Sequence, residues 1–359
     1  MKIAIITGGS GGHIYPALSF SDYVKKNDNV DVVYIGNSHR MEANIIPEHG
    51  YDFYPIKNEG FEGNTFDKIY AVLTQGRAIH QARKHLKKIK PDIVFAFGGY
   101  VSLPVVLAAH SLKIKIALHE QNAFVGKANK WSSRYADVIF TCYEEAFKGE
   151  DNVYLYGNPR GSLAVDQEKN DKEINRIGLN PNKPIVLVVM GSQGSQSVNK
   201  MFKKSLDNFK PIDYQLLFVS GPLEYDELMD GIEEIPNNVF IESFVDQGSL
   251  LPYLDLIVAR AGASSIAEIA SFGVPSILIP SPYVANNHQY YNALALQEKH
   301  ATILLEEKTM TQTSFFKTIE DTLNDEQSLK ELSENVKIFN TPNVNKDIYR
   351  MIKRVIEDE

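Results

Sequence analysis

Short apolar runs alternate along the chain with longer segments in which apolar and polar residues recur at helical spacing. Alternation of this kind predicts buried parallel strands joined by helices, the arrangement of a doubly wound α/β sheet. The series occurs in both halves of the chain. In the first half the predicted strands are Lys2–Ile6, Val30–Ile35, Ile93–Phe97, Ile114–Leu118 and Val138–Phe140. In the second half they are Pro184–Val189, Tyr214–Val219, Val239–Glu242, Leu256–Val258 and Ser276–Ile279.

A glycine-rich turn follows the first predicted strand of each half. The turn Gly8–His13 precedes a predicted helix at Pro16–Lys25, and the turn Gly191–Ser195 precedes one at Val198–Leu206. Glycine allows the backbone to approach a ligand closely, and a helix N-terminus offers N–H groups and a positive dipole end to phosphate. Two turns of one design therefore predict two α/β domains that bind a phosphate-bearing ligand beyond their strand ends.

The boundary between the two domains is predicted near Gly157–Arg160, before the polar segment Asp166–Glu173. We expect a first domain of residues 1–160 and a second of residues 161–342, sizes that suit a chain of 359 residues. The tail 343–359 is expected to form a helix that packs back on the first domain. Its apolar residues recur at helical spacing and are Ile348, Met351, Ile352 and Val355.

Composition narrows the class of protein. The formal net charge of −8 and the isoelectric point near 5.7 argue against a nucleic-acid binder, which needs a basic face. Cys142 is the only cysteine, which excludes an internal disulfide or a thiolate zinc site and fits a reducing compartment.

Met1 leads directly into a predicted strand, so no signal peptide is expected. The uncharged segment Ile93–Ala109 is interrupted by glycine and proline and is predicted to be core rather than a membrane span.

The first glycine turn differs from two other nucleotide-binding patterns. An NAD-binding turn requires an acid at the end of the second strand, but this strand ends Ile35-Gly36-Asn37. A P-loop requires a lysine before Ser or Thr, and none follows the turn. The chain also lacks an Asp-x-Asp triplet, with which many nucleotide-sugar enzymes hold a cation. We therefore expect no cofactor and no metal, and a purely structural turn remains an alternative.

His13 directly follows the last glycine of the first turn. Its near-neutral pKa suits an imidazole to remove a proton from a hydroxyl group. The alternative is that His13 only contacts phosphate or water. The sequence thus makes His13 a candidate general base without deciding between these roles.

Three polar clusters interrupt apolar surroundings. In Arg260–Glu268, Ser264 and Ser265 are N-cap types, and Glu268 lies where a carboxylate can accept hydrogen bonds from a ribose diol. The alternative there is a simple capping box from Ser265 to Glu268. The clusters His119–Asn122 and Asn287–Gln289 are predicted to lie outside the core, either in a site or in solvated loops.

The segment Lys68–Lys90 is basic in an acidic chain. It contains seven Lys or Arg residues and no Asp or Glu, and apolar residues are interleaved with its first half: Ile69, Tyr70, Val72, Leu73 and Ile79. This reversal of charge indicates contact with an anionic surface such as a membrane. A solvated basic helix is the alternative.

Taken together, these motifs resemble the MurG-type transferases of bacterial cell-wall synthesis, which have the GT-B glycosyltransferase architecture. The resemblance covers nearly the whole chain, and the motifs keep the family's order. They are Gly8–His13, Gly98–Ser102, His119–Ala123, Gly157–Pro159, Gly191–Gly194, Ala261–Ala263, Glu268 and His288–Ala293. The implied fold is α/β, with two doubly wound Rossmann-like domains that face a central cleft.

The resemblance implies an inverting transfer of N-acetylglucosamine from UDP-N-acetylglucosamine to the 4-hydroxyl of the muramoyl sugar of lipid I, which gives lipid II. The expected location is the cytoplasmic face of the cell membrane, bound peripherally. His13 corresponds to the family's proposed base, Glu120 is the next candidate, and Gly98-Gly99-Tyr100 would help to hold the acceptor diphosphate. The residues expected to hold the donor are Ser10, Gly11, Gly12, Asn122, Arg160, Ser192, Val245, Ala263, Ser264, Glu268 and Gln289.

The chain departs from the family pattern at a few positions. The family usually has threonine at Ser10, glycine at Leu103 and glycine at Met190. Arg160 stands one place earlier than the family's arginine, so its part in donor binding stays open. Two other functions are kept as alternatives, a GT-B enzyme that glycosylates diacylglycerol and a non-catalytic module that binds UDP-sugars.

Overall fold

The structure is a computed structural model that describes residues 1–58, 65–162, 170–206 and 212–357, without the side chains of residues 65–73. The chain divides into two compact units, one of Met1–Ser162 with Asn343–Glu359 and one of Leu163–Pro342. Part of the predicted polar segment Asp166–Glu173 and the side chain of Lys68 lie outside the described residues.

The first unit contains a parallel sheet of seven strands. The strands are β1 (Lys2–Ile6), β2 (Asp31–Asn37), β3 (Asp52–Ile56), β4 (Ile93–Ala96), β5 (Lys115–Glu120), β6 (Val138–Thr141) and β7 (Val153–Leu155). They lie in the order β3-β2-β1-β4-β5-β6-β7, and every neighbouring pair is parallel. This is the Rossmann order, extended by one strand at one edge.

The second unit repeats the same topology with six strands. They are β8 (Ile185–Val189), β9 (Gln215–Val219), β10 (Val239–Glu242), β11 (Leu256–Ala259), β12 (Ser276–Leu278) and β13 (Ile303–Leu304). Their order is β10-β9-β8-β11-β12-β13, again with parallel neighbours.

Helices connect the strands of both sheets. The α-helices of the described residues are α1 (Gly11–Asp28), α2 (Glu42–Glu48), α3 (Thr65–Ile89), α4 (Ser102–Ser111), α5 (Lys127–Ser132), α6 (Lys172–Ile177), α7 (Gln196–Leu206), α8 (Tyr225–Met229), α9 (Gln247–Leu250), α10 (Ala263–Phe272), α11 (His288–Gln297), α12 (Gln312–Leu323), α13 (Glu326–Val336) and α14 (Val344–Glu357). Short 3₁₀ helices lie at Ser133–Tyr135, Pro159–Ser162, Leu251–Tyr253, Ala285–Asn287 and Lys337–Phe339.

Each sheet is buried on both faces, as the continuous apolar strands predict. In β1, Ile3 and Ile5 face the cluster that contains Phe20 and Phe95, whereas the alternate residues face the cluster that includes α3 and α4. The C-terminal helix α14 belongs to the first cluster, where Ile348 is fully buried. In the second unit, Phe202 of α7 stacks on Phe218 of β9 with ring centroids 3.8 Å apart.

The central strands agree with the sequence prediction to within three residues at each end, but three strands were not predicted. They are β3, β7 and β13, which lie at sheet edges and are only partly buried. An edge strand needs no continuous apolar run, so these segments give little hydrophobic signal. The predicted start of α1 at Pro16 is also wrong, because the helix begins at Gly11 and continues through the proline.

Candidate active site

In each unit the predicted glycine turns lie where the strand order reverses. The turn Gly8–His13 follows β1, and Gly98–Tyr100 follows its parallel neighbour β4. In the second unit Gly191–Ser195 follows β8, and Arg260–Gly262 follows the neighbouring β11. Ligands of doubly wound sheets bind outside the strand ends at this switch point. The topology therefore brings the predicted motifs of each unit to its ligand-binding edge.

The imidazole of His13 is held in one tautomer by the first glycine turn. Its Nδ1 lies 3.1 Å from the Gly8 carbonyl oxygen and 3.3 Å from the Ser10 hydroxyl. Because a carbonyl oxygen only accepts hydrogen bonds, the bond to Gly8 assigns the proton of the neutral ring to Nδ1. The lone pair is then on Nε2, the atom with which the ring can take a proton.

The turn Gly98-Gly99 packs directly against His13 and the first turn. A Cβ atom at Gly98 would lie 2.9 Å from His13 Nε2, and one at Gly99 would lie 2.3 Å from the Gly8 carbonyl oxygen. Both glycines also have positive φ angles, 107° and 85°. The Ser102 hydroxyl fixes the turn by donating to the Gly98 carbonyl at 2.8 Å. His13 therefore lies between the two turns, and a side chain at Gly98 would displace its ring.

Glu120, at the end of β5, organises the loop that follows it. Its Oε1 accepts hydrogen bonds from the backbone and side chain of Asn122, both at 3.1 Å. Its Oε2 accepts from the Gly126 N–H at 3.0 Å and from the Asn129 side chain at 2.9 Å. The carboxylate is 2% exposed, so its four partners rather than water satisfy it. This environment favours a positioning role for Glu120 over proton transfer.

The prediction that His119–Asn122 lies outside the core is wrong for three of its four residues. His119, Glu120 and Gln121 are each at most 2% exposed. His119 Nε2 lies 3.0 Å from the Gly157 carbonyl oxygen, and its ring stacks on Phe97 at a centroid distance of 5.3 Å. The His119 ring and the Glu120 carboxylate are each hydrogen-bonded to neighbouring groups, so their burial is tolerated.

The pKa of His119 is lowered to about 4, chiefly by burial and to a smaller extent by the nearby His13. The hydrogen bond to the Gly157 carbonyl acts in the opposite direction. His119 is therefore neutral at ordinary assay pH, with Nε2 donating to Gly157.

Arg160 lies in the 3₁₀ helix Pro159–Ser162. Its backbone N–H donates to the Asn158 side chain at 3.0 Å. The Pro159 carbonyl accepts from Ser19 of α1 at 2.9 Å and from Asn345 of α14 at 3.2 Å. Two helices of the first unit therefore fix the backbone next to Arg160. The Arg160 side chain is half-buried.

A buried ion pair supports the glycine turn of the second unit. Arg260 Nη1 lies 2.5 Å from Glu307 Oε2, and both side chains are 9% exposed. The same guanidinium donates to the Ile279 carbonyl at 3.1 Å and, through Nη2, to the Ser195 hydroxyl at 2.8 Å. Glu307 also accepts a hydrogen bond from Ser197. One arginine therefore links β11, β12 and the turn that precedes α7.

The sequence pattern around Arg260 did not predict this role for the arginine, and Glu307 was not predicted at all. A basic residue directly after the apolar strand Leu256–Ala259 was the available signal. Its acidic partner lies 47 residues further along the chain, beyond any local pattern. Only the parallel pairing of β11, β12 and β13 brings the two together.

The predicted capping of α10 by Ser264 or Ser265 is wrong. The N-cap is Gly262, and no side chain caps the helix. Ser264 instead lies in the first turn, where its hydroxyl is buried and has no hydrogen-bond partner among the described residues. Backbone N–H groups in the first turn of a helix likewise have no intrahelical acceptor. The beginning of α10 therefore offers hydrogen-bond donors and a positive dipole end to an anion.

The remaining predicted donor residues of the second unit follow β8, β10, β11 and β12 along the chain. Glu268 lies in its second turn, and the Gln247 side chain donates to it at 3.3 Å. Gln289, in the first turn of α11, accepts from the Ser281 N–H at 2.9 Å, and Asn292 of the same helix donates to the Ala261 carbonyl at 3.2 Å. Ala263 and Val245 are buried, whereas Ser192 is exposed in the glycine turn.

Two features are missing from the described part of the chain. No three His, Cys, Asp or Glu side chains there are grouped as a metal site requires. No helix there combines the length and the apolar composition that a bilayer crossing requires.

The chain matches two protein-family models. Residues 3–141 match the glycosyltransferase family 28 N-terminal domain, and residues 185–348 match the glycosyltransferase family 28 C-terminal domain. The two matches cover most of both units and confirm the predicted fold class, two doubly wound α/β domains of the GT-B type.

Named relatives are similar over the full length. The chain is 39% identical to the UDP-N-acetylglucosamine–N-acetylmuramyl-(pentapeptide) pyrophosphoryl-undecaprenol N-acetylglucosamine transferase of Halalkalibacterium halodurans, over 99% of both chains. It is 35% identical to a transferase of the same name from Bacillus cereus, over 99% of this chain and 100% of the relative. The crystal structure of Acinetobacter baumannii MurG aligns with a TM-score of 0.80 and 26% identity, over 98% of this chain and 99% of that one.

Proposed function

The chain belongs to the MurG family within glycosyltransferase family 28, and from that premise we propose how its residues carry out the reaction. The enzyme transfers N-acetylglucosamine from UDP-N-acetylglucosamine to lipid I and forms lipid II of peptidoglycan. The first unit binds and activates the acceptor, and the second unit holds most of the donor.

In the first unit His13 acts as the general base. Its Nε2 takes the proton of the 4-hydroxyl of the muramoyl sugar while that oxygen attacks the anomeric carbon and the bond to UDP breaks. The attack comes from the face opposite the leaving group, so the configuration inverts. What supports this role is the Nδ1 contact with the Gly8 carbonyl, which leaves the basic lone pair on Nε2.

The two glycine turns of the first unit hold the anionic parts of the substrates. The backbone of Gly98-Gly99-Tyr100 contacts the acceptor diphosphate. Ser10, Gly11, Gly12 and Asn122 contribute to the donor side. Helix α1 supports this proposal, because its N-terminus begins at the turn and directs N–H groups and a positive dipole end toward an anion.

In the second unit the start of α10 stabilises the charge that grows on the departing UDP. The first-turn amides and the Ser264 hydroxyl donate to phosphate oxygens, a contribution of roughly 3–4 kcal/mol per well-placed donor in other enzymes. Glu268 holds the ribose diol, and Gln289, Val245, Ala263 and Ser192 contribute further donor contacts. Arg160 of the first unit completes the donor set. The buried, unpartnered Ser264 hydroxyl is the observation that carries this assignment.

The direct test is product formation. The purified chain is incubated with UDP-N-acetylglucosamine and either lipid I or diacylglycerol, and the products are identified by mass spectrometry. Lipid II from the first incubation and no glycolipid from the second is the expected result. Glycosylated diacylglycerol would favour the alternative GT-B activity, and UDP-sugar binding without any product would favour a binding module.

We expect Glu268→Ala to raise the KM for the donor about 10-fold or more while kcat at saturating donor stays within threefold. The reason is that a hydrogen bond to a charged group contributes roughly 1.5–3 kcal/mol, and the ribose is remote from the breaking bond. Steady-state kinetics and calorimetry with UDP measure both parts. Glu331→Ala, an exposed glutamate of the same unit, is the matched control. Unchanged UDP affinity in Glu268→Ala would remove Glu268 from the ribose site.

We further propose that the basic face of α3 binds an anionic membrane on the cytoplasmic side, where lipid I is presented. Lys84, Lys87 and Lys88 are exposed on this helix, and Lys90 directly follows its end. The opposite side of α3 is apolar and buried through Ala78, Ala82 and Leu86. Charge and apolar packing are therefore segregated, which leaves the cations available to lipid headgroups.

Replacing Lys84, Lys87 and Lys88 together by alanine should weaken binding to anionic vesicles by roughly 100-fold at low salt. Each basic residue near such a surface contributes on the order of 1 kcal/mol, and added salt screens the attraction. Vesicle sedimentation with and without phosphatidylglycerol measures the effect. Replacing Lys204, Lys299 and Lys308, which are exposed in the second unit, is the control with the same change in net charge. Equal binding of wild type to neutral and anionic vesicles would contradict the proposal.

A further inference from the structure

The first unit contains a buried carboxylate that the mechanism above does not use. Glu42, the first residue of α2, is 0% exposed. Its Oε2 accepts a hydrogen bond from the Gly9 N–H at 3.2 Å, and its Oε1 accepts one from the Asn37 N–H at 3.0 Å. Burial of a carboxylate costs free energy unless its oxygens are hydrogen-bonded. A carboxylate at this position therefore indicates that the two backbone N–H groups need a strong acceptor.

Two glycines make room for this side chain. A Cβ atom at Gly8 would lie 2.3 Å from Glu42 Oε1, and one at Gly36 would lie 2.9 Å from Glu42 Cγ. Any other residue at either position would push the carboxylate away from the amides that it accepts from. Gly8 of the first turn is therefore required by the packing of Glu42.

From Glu42 a chain of buried polar contacts continues to the second glycine turn. Asn37, whose N–H binds Glu42, accepts a hydrogen bond on its side-chain oxygen from the Asn58 N–H at 3.0 Å. The Asn58 side chain then donates to the Tyr100 carbonyl at 2.6 Å. Asn37 and Asn58 are 5% and 1% exposed. We call this chain of contacts through Glu42, Asn37 and Asn58 the relay. It begins at Gly9 in the first glycine turn and ends at Tyr100 in the second.

The relay fixes which amides face a ligand. The Gly9 N–H is committed to Glu42, whereas the amides that begin α1, at Gly11 and Gly12, have no intrahelical acceptor. His13 lies in the same first helical turn, with Nδ1 on the Gly8 carbonyl and Nε2 against Gly98. Any displacement of Gly8-Gly9 therefore moves the base and the anion-binding amides together.

We propose that Glu42 is a positioning residue for the transfer reaction: through Gly9 and through Asn37 and Asn58 it fixes the two glycine turns relative to each other and so aligns the acceptor with His13. This inference rests on the proposed function, because it uses the assignment of the acceptor diphosphate to Gly98-Gly99-Tyr100 and of the general base to His13. Glu42 does not touch the substrate and moves no proton.

The test is Glu42→Gln, which keeps size and shape but has only one acceptor oxygen. The NH2 group of the glutamine must then face the N–H of either Gly9 or Asn37. Two hydrogen-bond donors oppose each other at that position, and one of the two hydrogen bonds is lost. We expect kcat/KM for lipid I to fall about 10- to 100-fold, since a small misplacement of reacting groups has effects of that size. The dissociation constant for UDP should change far less, within a few fold, because most of the proposed donor contacts belong to the second unit.

Tyr34→Phe is the matched control for loss of a buried hydrogen bond in the same unit, because it removes only the Tyr34 hydroxyl, which lies 2.6 Å from the Ser21 hydroxyl. It should lower the thermal midpoint while kcat/KM stays within twofold. If Glu42 were merely structural, Glu42→Gln would behave like this control at a temperature where both variants are folded, and that result would overturn the proposal.

If Glu42→Gln does not fold, Asn58→Ala tests the relay instead. This substitution removes the hydrogen bond to the Tyr100 carbonyl and leaves the Glu42 carboxylate in place. A fall in kcat/KM for lipid I of about fivefold or more is expected, with UDP affinity unchanged. A value within twofold of wild type would refute the relay. Failure of the wild-type chain to make lipid II would refute the proposed function instead, so the two failures are distinguishable.

Discussion

Replacing His13 by alanine is expected to lower kcat roughly 100- to 10,000-fold, the contribution of a well-placed general base. UDP binding should stay within a few fold, because most of the proposed donor contacts belong to the second unit. Steady-state kinetics with lipid I and calorimetry with UDP measure the two quantities. The size of the effect follows from the loss of Nε2, the atom assigned the basic lone pair by the Nδ1 contact with Gly8.

The pH profile separates catalysis from simple phosphate contact. Only a neutral imidazole accepts a proton, so wild-type activity should fall as pH drops through the pKa of His13, and the residual activity of His13→Ala should lack this acid limb. If His13 only contacts phosphate, the substitution should raise a KM and leave the shape of the profile unchanged. A near-normal kcat at saturating substrates would remove His13 from the mechanism. His49→Ala, an exposed histidine of the same unit with a comparable Nδ1–carbonyl contact, is the control.

A second histidine affects the same pH range through stability. The pKa of His119 is lowered to about 4 in the folded state, mainly by burial, whereas an unfolded histidine titrates near 6.5. The unfolded chain therefore binds more protons between these values, and stability present above pH 6.5 is lost as pH falls toward 4. The folded fraction must be measured at each pH, so that unfolding is not counted as protonation of His13.

The sequence was sufficient to predict the elements whose signal is local. The strands at the centre of each sheet are continuous apolar runs, and the glycine turns after β1 and β8 are short motifs. The fully buried Ile3–Ile6 and Val186–Val188 illustrate the first case. Edge strands such as β13, with only two residues, have neither property and were missed.

The parts of the site that were not predicted depend on contacts between distant segments. The hydrogen-bond acceptor of His13, the four donors around Glu120 and the Arg260–Glu307 pair are visible only after the strands are ordered. The same holds for burial of His119, because polar side chains at a strand end are tolerated in the core only when partners from other segments satisfy them. Residue type predicted the chemistry of these positions, and topology decided their surroundings.

Arg260→Ala is expected to give the largest loss of stability, about 3–5 kcal/mol in the free energy of unfolding, because it leaves the Glu307 carboxylate buried without its cation. Urea denaturation measures this loss. Arg176→Ala removes an exposed arginine that pairs with Glu173 and Glu242, and it should lower stability by only about 0–1 kcal/mol. Comparable losses in the two variants would contradict the assignment.

The double variant Arg260→Met with Glu307→Leu separates the structural role of the pair from its role in the site. Removing both charges together avoids an unpaired buried ion, so most of the lost stability should return. The Ser195 hydroxyl still loses its contact with the guanidinium, and the turn before α7 loses its support. UDP affinity in calorimetry should therefore stay reduced in the double variant even where folding is restored. Full recovery of both stability and UDP affinity would show that the pair serves folding alone and that the Ser195 contact has no part in donor binding.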